Sequence, residues 1–260
     1  MMDALVAIAR GAGAILTERF HSGSFEVHIK PDRSPVTTAD LASDEFIRNA
    51  LAKACSIPPV TEETPVDYET RRGWAELFLI DPLDGTKDFI AHNPDFAVNI
   101  AYVKGGRPVI GVVFAPLLDE MFYAERGRGA FLEKGGIRYS LPRTRNKGCV
   151  IGRTRNERNP LIRQLVELNG ISENRVMGSA IRYPRLAEGV IDIHPGLGES
   201  WEWDTAAGQI MVTETGGRVM DLGTGTEPVY NKPHLRNSRF IATGQDLDPA
   251  RLKLPEGIRN

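Results

Sequence analysis

The stretch Asp81–Phe89, DPLDGTKDF, follows directly on the apolar run ELFLI at residues 76–80. The apolar run predicts a buried strand, and the proline and glycine after it predict a tight turn that carries Asp81 and Asp84. Two carboxylates in a partly buried turn repel each other unless a cation neutralises them, and hard oxygen ligands suit magnesium or manganese. A type I turn with no ligand explains the same residues, so the stretch alone leaves both interpretations open.

The overall composition is that of a globular protein without an extreme charge. The 260 residues include 32 Lys and Arg against 34 Asp and Glu, a formal net charge of −2. The basic residues form no long stripe, which argues against a nucleic-acid partner. The N-terminal segment lacks the basic start and cleavage site of a signal peptide, so we expect neither export nor a membrane span. The two cysteines show no CxxC spacing, which favours free thiols and a cytoplasmic location.

The order of the predicted elements indicates an α/β protein in two parts. We expect an N-terminal α+β part, residues 1–145, and a C-terminal α/β part, residues 146–260, packed around a cleft. The predicted helices cover residues 3–20, 38–54, 159–169, 179–189 and a late segment that starts at WDTAAG (203–208) and ends at Gly216 and Gly217. The predicted strands lie within residues 25–36, 96–103, 109–117, 120–132, 136–141, 149–154, 190–195 and 218–222.

Two further acidic residues stand beside other predicted elements. Glu62 follows the short apolar stretch IPPV, and Asp204 opens the late helix. Each of them alone is typical of a solvated or helix-capping carboxylate. Together with Asp81 and Asp84, they would bring four carboxylates from three segments to one cation cluster, which predicts metal-dependent hydrolysis.

Gly85 and Thr86 have the chemistry of a phosphate site beside that cluster. A glycine lets backbone N–H groups at a helix start approach an anion closely. The Thr86 hydroxyl is positioned to orient and deprotonate a water molecule if an acceptor lies behind it, and we expect Asp40 to be that acceptor. Asp40 equally suits a role in capping the second helix, and the two roles are compatible.

Four segments resemble signatures of a known family in order and spacing: SPVTTAD (34–40), TEE (61–63), DPLDGTKDF and WDTAAG. They are similar to the lithium-sensitive, magnesium-dependent phosphomonoesterases of the inositol monophosphatase superfamily, over about residues 5–243. The resemblance implies a layered αβαβα sandwich, two or three Mg²⁺ ions with Mn²⁺ as a possible substitute, and inhibition by lithium. The implied metal ligands are Glu62, Asp81, Asp84, Asp204 and the backbone carbonyl of Leu83, and the implied catalytic residues are Asp40, Thr86 and Glu62.

Within this superfamily the chain resembles the bacterial 3'(2'),5'-bisphosphate nucleotidases, on DGTKDFI (84–90) and GSAIRYPRLAEGVIDIHP (178–195). The implied partner is a small phosphate ester, adenosine 3',5'-bisphosphate, with an inositol or sugar phosphate as the alternative, bound by a monomer or homodimer. The implied substrate-binding residues are Asp84, Gly85, Thr86, Ser179, Arg182 and Asp204.

Two positions depart from the nucleotidase pattern. Arg182 stands where the family usually has lysine, and Gly196 where it usually has arginine. Loss of a cation at Gly196 would weaken binding of a second phosphate by about 1.5–3 kcal/mol. We expect Arg185, Lys87 or Lys30 to be the candidates that compensate.

Other functional classes fit the sequence less well. Aspartyl-phosphate phosphatases place one residue, not two, between their aspartates, so the nucleophile would lack its partner. A calcium-binding loop would need acidic residues at alternating positions. A regulatory relative without activity would have no need of all four carboxylates.

Overall fold

The computed structural model describes residues 1–146, 149–155 and 157–258; positions 147, 148, 156, 259 and 260, all in the predicted C-terminal part, lie outside the description. The helices of the described ranges are α1 (Met2–Ser22), α2 (Thr38–Ala54), α3 (Tyr68–Arg71), α4 (Thr86–Ile90), α5 (Pro160–Leu168), α6 (Arg182–Glu188) and α7 (Glu202–Glu214). The strands are β1 (Val27–Ile29), β2 (Pro35–Thr37), β3 (Pro59–Thr61), β4 (Glu76–Asp84), β5 (Ala97–Lys104), β6 (Arg107–Ala115), β7 (Glu120–Glu125), β8 (Gly129–Lys134), β9 (Ile137–Ser140), β10 (Val150–Arg153), β11 (Glu173–Val176), β12 (Ile193–Gly196), β13 (Arg218–Asp221) and β14 (Phe240–Thr243). None of the described helices combines the length and apolarity needed to cross a membrane.

Two mixed sheets and a small hairpin contain these strands. A seven-stranded sheet has the order β3-β4-β5-β6-β7-β8-β9, in which only the β3–β4 pair is parallel. A five-stranded sheet has the order β11-β10-β12-β14-β13, with β10 parallel to both of its neighbours. Strands β1 and β2 form a separate antiparallel pair.

The helices and sheets stack in five layers. Helices α1 and α2 pack on one face of the seven-stranded sheet, and α6 and α7 fill the space between the two sheets. Helix α5 covers the outer face of the five-stranded sheet. The predicted αβαβα sandwich is therefore confirmed.

Strand β4 is buried on both faces, which explains the uninterrupted apolar run in its sequence. Its side chains alternate between the two cores: Phe78 and Ile80 face α1 and α2, whereas Leu77 and Leu79 pack in the core that contains α7. Because side chains of a strand point to opposite faces with a period of two, the residue after Ile80 points towards α7. That residue is Asp81.

The helical predictions agree with the structure more closely than the strand predictions. The two N-terminal helices are α1 and α2, and the late helix is α7. Helix α7 ends at Glu214, and Gly216, two residues later, has the left-handed conformation with φ of 83°. The predicted strand at residues 120–132 is divided into β7 and β8 by a turn, and that at 190–195 shortens to β12. Strands β3, β11 and β14 lie outside the predicted strands. Strand β11, with the sequence ENRV, is exposed along its whole length and shows no apolar alternation, and β3 begins at a proline.

Close contact between β6 and α7 depends on Gly111. A Cβ atom there would lie 2.9 Å from the Ala207 Cα atom and would also collide with the Ala207 carbonyl oxygen. Gly111→Ala is therefore expected to lower the free energy of unfolding by about 1–3 kcal/mol, as overpacked sites do. Gly73→Ala is the control, because a Cβ atom there meets nothing within 4 Å. Urea denaturation measures both variants, and equal midpoints would show that β6 and α7 are less closely packed than described.

Candidate active site

Three carboxylates from three elements meet at one edge of the seven-stranded sheet. One oxygen of each of Glu62, Asp81 and Asp204 lies within 4.8 Å of the others, an arrangement that could hold a metal ion. Strands β3 and β4 are parallel, with Thr61 opposite Ile80. The residue that follows each of these, Glu62 after the end of β3 and Asp81 within β4, therefore lies beside the other. Asp204 reaches this point from the start of α7.

The prediction that Asp81 and Asp84 lie in a tight turn is wrong. Strand β4 continues through both residues, and its pairing with β5 shifts register between them, so that Asp81 pairs with Asn99 and Asp84 with Ala97. Such an irregularity accommodates Pro82, which has no N–H group to donate to the ladder. On the other side, β3 has already ended opposite Ile80, so no pairing is lost there.

Asp204 is the third residue of α7 and helps to cap it. Its Oδ2 atom accepts a hydrogen bond of 2.7 Å from the backbone N–H of Trp201, the residue at the N-cap. The positive end of the helix dipole favours a carboxylate at this position. The capping role considered for Asp204 is thus present, and it coexists with membership of the carboxylate cluster.

Burial and repulsion by neighbouring carboxylates favour the protonated forms of Asp81, Asp84 and Asp204. Burial raises the pKa of Asp81 and of Asp204 well above the ordinary aspartate value, and neighbouring carboxylates raise each of them further. Burial also raises the pKa of Asp84 to about 6, against a hydrogen bond from Asn99 that lowers it. A divalent cation would remove the repulsion and compensate the lost hydration, so the donor set fits a hard metal ion.

Asp84 and Leu83 lie next to this cluster and not within it. Asp84 is outside the 4.8 Å group but lines the same cavity, and its Oδ2 accepts a 3.0 Å hydrogen bond from Asn99 Nδ2. Leu83 donates its backbone N–H to Asp81 Oδ1 over 3.0 Å, which orients that carboxylate. The Asp84 charge contributes to the raised pKa of Asp204, so the two groups interact across the cavity.

A Thr86–Asp40 pair lies beside the carboxylates, as predicted. The Thr86 hydroxyl is 3.1 Å from Asp40 Oδ1 and 3.2 Å from the carbonyl oxygen of Leu83. The Thr86 hydroxyl donates its single proton to one of these two acceptors at a time. Its own oxygen keeps two lone pairs, which can accept a hydrogen bond from a water molecule. Asp40 is buried, and burial raises its pKa although hydrogen bonds from Thr37 and Thr86 oppose the increase.

Asp40 also participates in capping α2, with a different oxygen. The N-cap is Thr37, and Asp40, the cap candidate from the sequence, is the third residue of the helix. Asp40 Oδ2 accepts from the Thr37 N–H over 2.9 Å and from its hydroxyl over 2.5 Å, completing a capping box. The cap therefore holds the carboxylate so that its Oδ1 atom faces Thr86.

Gly85 is required by both conformation and packing. Its φ is 93°, a value that residues other than glycine rarely adopt. A Cβ atom at this position would lie 3.1 Å from the Asp95 carbonyl oxygen. The glycine is the N-cap of α4, which has only 5 residues, so the dipole of that helix is weak. Close backbone approach, more than the dipole, is what this segment offers an anion.

The facing wall of the cleft comes from the C-terminal part and carries buried polar groups. Ser179, Arg182, Tyr183 and His194 line the same cavity as the carboxylates. Within the described ranges, Arg182 Nε, the Tyr183 hydroxyl and His194 Nδ1 are buried without a hydrogen-bond partner. Burial lowers the pKa of Arg182 and Asp84 opposes that decrease, whereas burial and the Arg182 charge hold the pKa of His194 far below its ordinary value.

Gly196, the position predicted to lack a cation, is occupied by aromatic packing. The Phe240 ring lies where a side chain at residue 196 would project, so a Cβ atom there would collide with it. These two residues are paired across β12 and β14. The arginine expected at this position could not be accommodated unless Phe240 moved.

The three candidates for a compensating cation differ in their surroundings. Arg185 binds Glu120 and Glu188 and is absent from the lining of the cleft. Lys87 is exposed and lines a neighbouring lobe of the cleft. Lys30 Nζ binds Glu62 at 2.7 Å and Glu63 at 2.8 Å, and these hydrogen bonds raise its pKa overall although burial alone would lower it.

Arg155 is a residue of the cleft that no sequence motif marks. Arg155 lines the neighbouring lobe and forms ion pairs with Asp88 and Asp95, which joins the end of β10 to the segment after β4. An arginine after a short strand resembles a solvated charge, and no signal in the sequence links it to two distant aspartates.

Comparison with known proteins agrees with this geometry. Residues 1–256 match the family described as "Inositol monophosphatase family". The chain is 34% identical over 245 residues to the 3'(2'),5'-bisphosphate nucleotidase CysQ of Salmonella typhimurium, covering 94% of this chain and 99% of that protein.

Two solved structures share the fold. CysQ from Bacteroides thetaiotaomicron, described as a bacterial member of the inositol monophosphatase family, superposes with a TM-score of 0.83 at 30% identity, covering 94% of this chain and 97% of that one. The extragenic suppressor protein suhB from Bartonella henselae superposes with a TM-score of 0.76 at 32% identity, covering 94% and 93%. From the family match over nearly the whole sequence, together with these relatives, we conclude that the chain belongs to the inositol monophosphatase family.

Proposed function

We propose that this protein is a magnesium-dependent phosphomonoesterase that hydrolyses adenosine 3',5'-bisphosphate to AMP and phosphate. The observation that carries the proposal is the convergence of Glu62, Asp81 and Asp204 within 4.8 Å, beside the Thr86–Asp40 pair. The similarity to proteins named 3'(2'),5'-bisphosphate nucleotidase supports the choice of substrate.

The proposed ligands of two or three Mg²⁺ ions, or of Mn²⁺ in their place, are Glu62, Asp81, Asp84, Asp204 and the carbonyl oxygen of Leu83. When bound, such ions lower the pKa of a water molecule and stabilise the leaving oxygen of a phosphate ester. The oxygen-only donor set and the raised pKa values of the buried aspartates support this assignment.

Thr86 and Asp40 are proposed to prepare the water molecule. The Thr86 hydroxyl donates a hydrogen bond to Asp40 and accepts a hydrogen bond from a water molecule, which orients the water for attack on the phosphorus atom. As the water attacks, its proton passes to Thr86 while the Thr86 proton passes to Asp40. The raised pKa of Asp40 makes it a better proton acceptor than an ordinary aspartate. The N–H groups that follow Gly85 are proposed to bind the phosphate oxygens, and Glu62 is proposed to orient the water from the metal side.

Arg182 and Ser179 are proposed to bind the part of the substrate that does not react. Arg182 is half-buried in the cleft wall, and its Nε atom is buried without a hydrogen-bond partner among the described residues. A buried donor without a partner is costly, so an anion that accepts from it would be favoured. A phosphate can accept two parallel hydrogen bonds from a guanidinium group. Asp84 and Asp204 are proposed to contact hydroxyl groups of the substrate as well as metal.

One observation favours a second candidate function, hydrolysis of an inositol or sugar monophosphate. Gly196 supplies no cation for a second phosphate, and Phe240 fills the adjacent space. A substrate with one phosphate would need only the metal cluster and the Gly85 segment.

The cysteines give the one indication of cellular setting. Cys55 and Cys149 are free thiols, which are usual in a reducing compartment, so we infer a cytoplasmic enzyme, acting as a monomer or homodimer. We also propose that residues 1–145 supply most metal ligands and that residues 146–260 supply Asp204 and the substrate-side wall.

A panel of substrates tests the function directly. With Mg²⁺ present, kcat/KM for adenosine 3',5'-bisphosphate is expected to exceed that for inositol 1-phosphate and fructose 1,6-bisphosphate by at least about tenfold, because specificity is the ratio of these constants. A preference for inositol 1-phosphate would replace the first candidate by the second.

Replacement of one carboxylate tests the metal centre. Asp84→Asn keeps the shape of the side chain but removes a charge, and it is expected to lower kcat by at least about a hundredfold. Asp67→Asn, which removes an exposed charge at the start of α3, is the matched control and is expected to retain activity. Circular dichroism checks that both variants fold. An Asp84→Asn enzyme with a nearly normal rate would remove Asp84 from the metal site.

The pH dependence of stability tests the electrostatic interpretation in the metal-free protein. Asp84 has a pKa of about 6 when folded against 3.8 as its ordinary value, so the folded state binds more protons between these pH values. The free energy of unfolding therefore falls as pH rises from about 4 to above 6, by an amount of order 1–3 kcal/mol.

Calorimetry in EDTA at pH 5 and pH 8 measures this change. Between pH 5 and pH 8, Tm is expected to fall less in Asp84→Asn than in the wild-type protein, because the asparagine side chain does not titrate. The fall is also expected to be smaller in the wild-type protein with Mg²⁺ than in the same protein with EDTA. If the wild-type and Asp84→Asn proteins lost the same stability over this pH range, Asp84 would not have a raised pKa.

A further inference from the structure

Trp201 is a large aromatic side chain left partly open to solvent within the cleft. Its exposed fraction is 36%, and it lines the same cavity as Arg182 and Asp204. Ligand pockets are commonly lined by aromatic side chains, so an exposed indole inside a polar cleft is a candidate binding surface. The chemistry described so far uses the backbone of this residue and not its ring.

The ring of Trp201 is held from one side by a second indole. The Trp201 and Trp203 rings stack with centroids 5.5 Å apart and planes only 13° from parallel. Trp203 is 5% exposed and belongs to the core between the two sheets. A ring fixed in this way loses little rotational freedom when a ligand stacks on it, so the cost of ordering it is small.

The backbone of Trp201 is fixed relative to the carboxylate cluster. Its N–H donates to Asp204 over 2.7 Å, its carbonyl oxygen accepts from Asn237 Nδ2, and it forms an isolated bridge with Arg236. The ring and the candidate metal ligand therefore share one helix start. Gly85, Thr86 and Trp201 line one cavity, so a substrate whose phosphate binds at Gly85 could extend towards this ring.

The neighbouring lining leaves room for a flat group. Gly196 and Gly198 line the same cavity, and a Cβ atom on Gly198 would meet no atom within 4 Å. Glu199, the charged residue of this segment, is paired with Arg236 at 2.6 Å. The segment next to Trp201 in the cavity lining thus offers glycine backbone surface, on which a planar ligand can lie.

From these observations we propose that Trp201 is a stacking surface for the nucleobase of the substrate. The proposal rests on the proposed nucleotidase function, since an inositol or sugar phosphate carries no base. Stacking is tolerant of base identity, because every base has a π face, so the surface discriminates nucleotides from other phosphate esters more than it discriminates among bases. Trp201 is thus a specificity-determining residue, and Phe240 at Gly196 limits the space on the same side of the cleft.

The test compares two substrates that differ only in the base. These are adenosine 3',5'-bisphosphate and the abasic methyl riboside 3,5-bisphosphate, assayed with wild type, Trp201→Ala and Trp201→Phe in the presence of Mg²⁺. Wild type is expected to prefer the base-bearing substrate by about tenfold or more in kcat/KM. Trp201→Ala is expected to lose most of this preference through a higher KM, and Trp201→Phe to retain most of it.

Three outcomes would overturn the proposal. If Trp201→Ala lowered kcat/KM for both substrates by the same factor, the role of the ring would be packing alone. If the preference for the base persisted in Trp201→Ala, another residue would bind it. If wild type hydrolysed inositol 1-phosphate in preference to both bisphosphates, the proposed function would fail first, and the stacking surface with it.

Fluorescence provides a second measurement that does not depend on the folding of Trp201→Ala. In the presence of Mg²⁺, AMP is expected to quench tryptophan emission saturably, and ribose 5-phosphate to quench it far less. Trp74→Phe is the matched control and is expected to keep the quenching, whereas Trp201→Phe is expected to lose it. Equal quenching by AMP and ribose 5-phosphate in the wild-type protein would contradict stacking on Trp201.

Discussion

Repulsion among buried carboxylates is the physical constraint on which the site depends. One oxygen of each of Glu62, Asp81 and Asp204 lies within 4.8 Å of the others, and burial already disfavours the charged forms of Asp81 and Asp204. A protein tolerates such an arrangement only if protons or cations neutralise it. Lys30 illustrates the demand for positive charge, because its ammonium group binds Glu62 and Glu63 at the edge of the same cluster. The site is thus prepared for cations before any substrate enters.

The five-layer architecture is what keeps the carboxylates together. Strand β4 is buried between two helical layers, so its position is set by packing on both faces and does not yield to repulsion at its end. Helix α7 lies between the two sheets and brings Asp204 to the edge where β3 and β4 end. The hydrophobic cores therefore supply the stability that offsets the electrostatic cost, and they do so at a distance from the chemistry.

The two walls of the cleft have different physical character. The wall formed by β3, β4 and α4 presents carboxylates, backbone groups and the Thr86–Asp40 pair, all suited to a metal-bound phosphate. The wall formed by the C-terminal part presents the half-buried Arg182, aromatic rings, and buried polar atoms that have no hydrogen-bond partner within the described ranges. A substrate that is charged at one end and flat and apolar at the other matches this division. Capping connects the walls, since the N–H of Trp201 is bound to Asp204.

The long amphipathic helices and the buried strand before Asp81 can be predicted from the sequence, because hydrophobic periodicity is a local property. The identity of the acidic residues and the layered sandwich come from the resemblance of four motifs to a known family. The sequence did not reveal that DPLD continues a strand, that Thr37 caps α2, or that Phe240 fills the space beside Gly196, because each depends on a partner distant in the chain. The three-dimensional packing sets which oxygens face one another: parallel pairing places Glu62 beside Asp81, and packing of α7 between the sheets brings Asp204 to them.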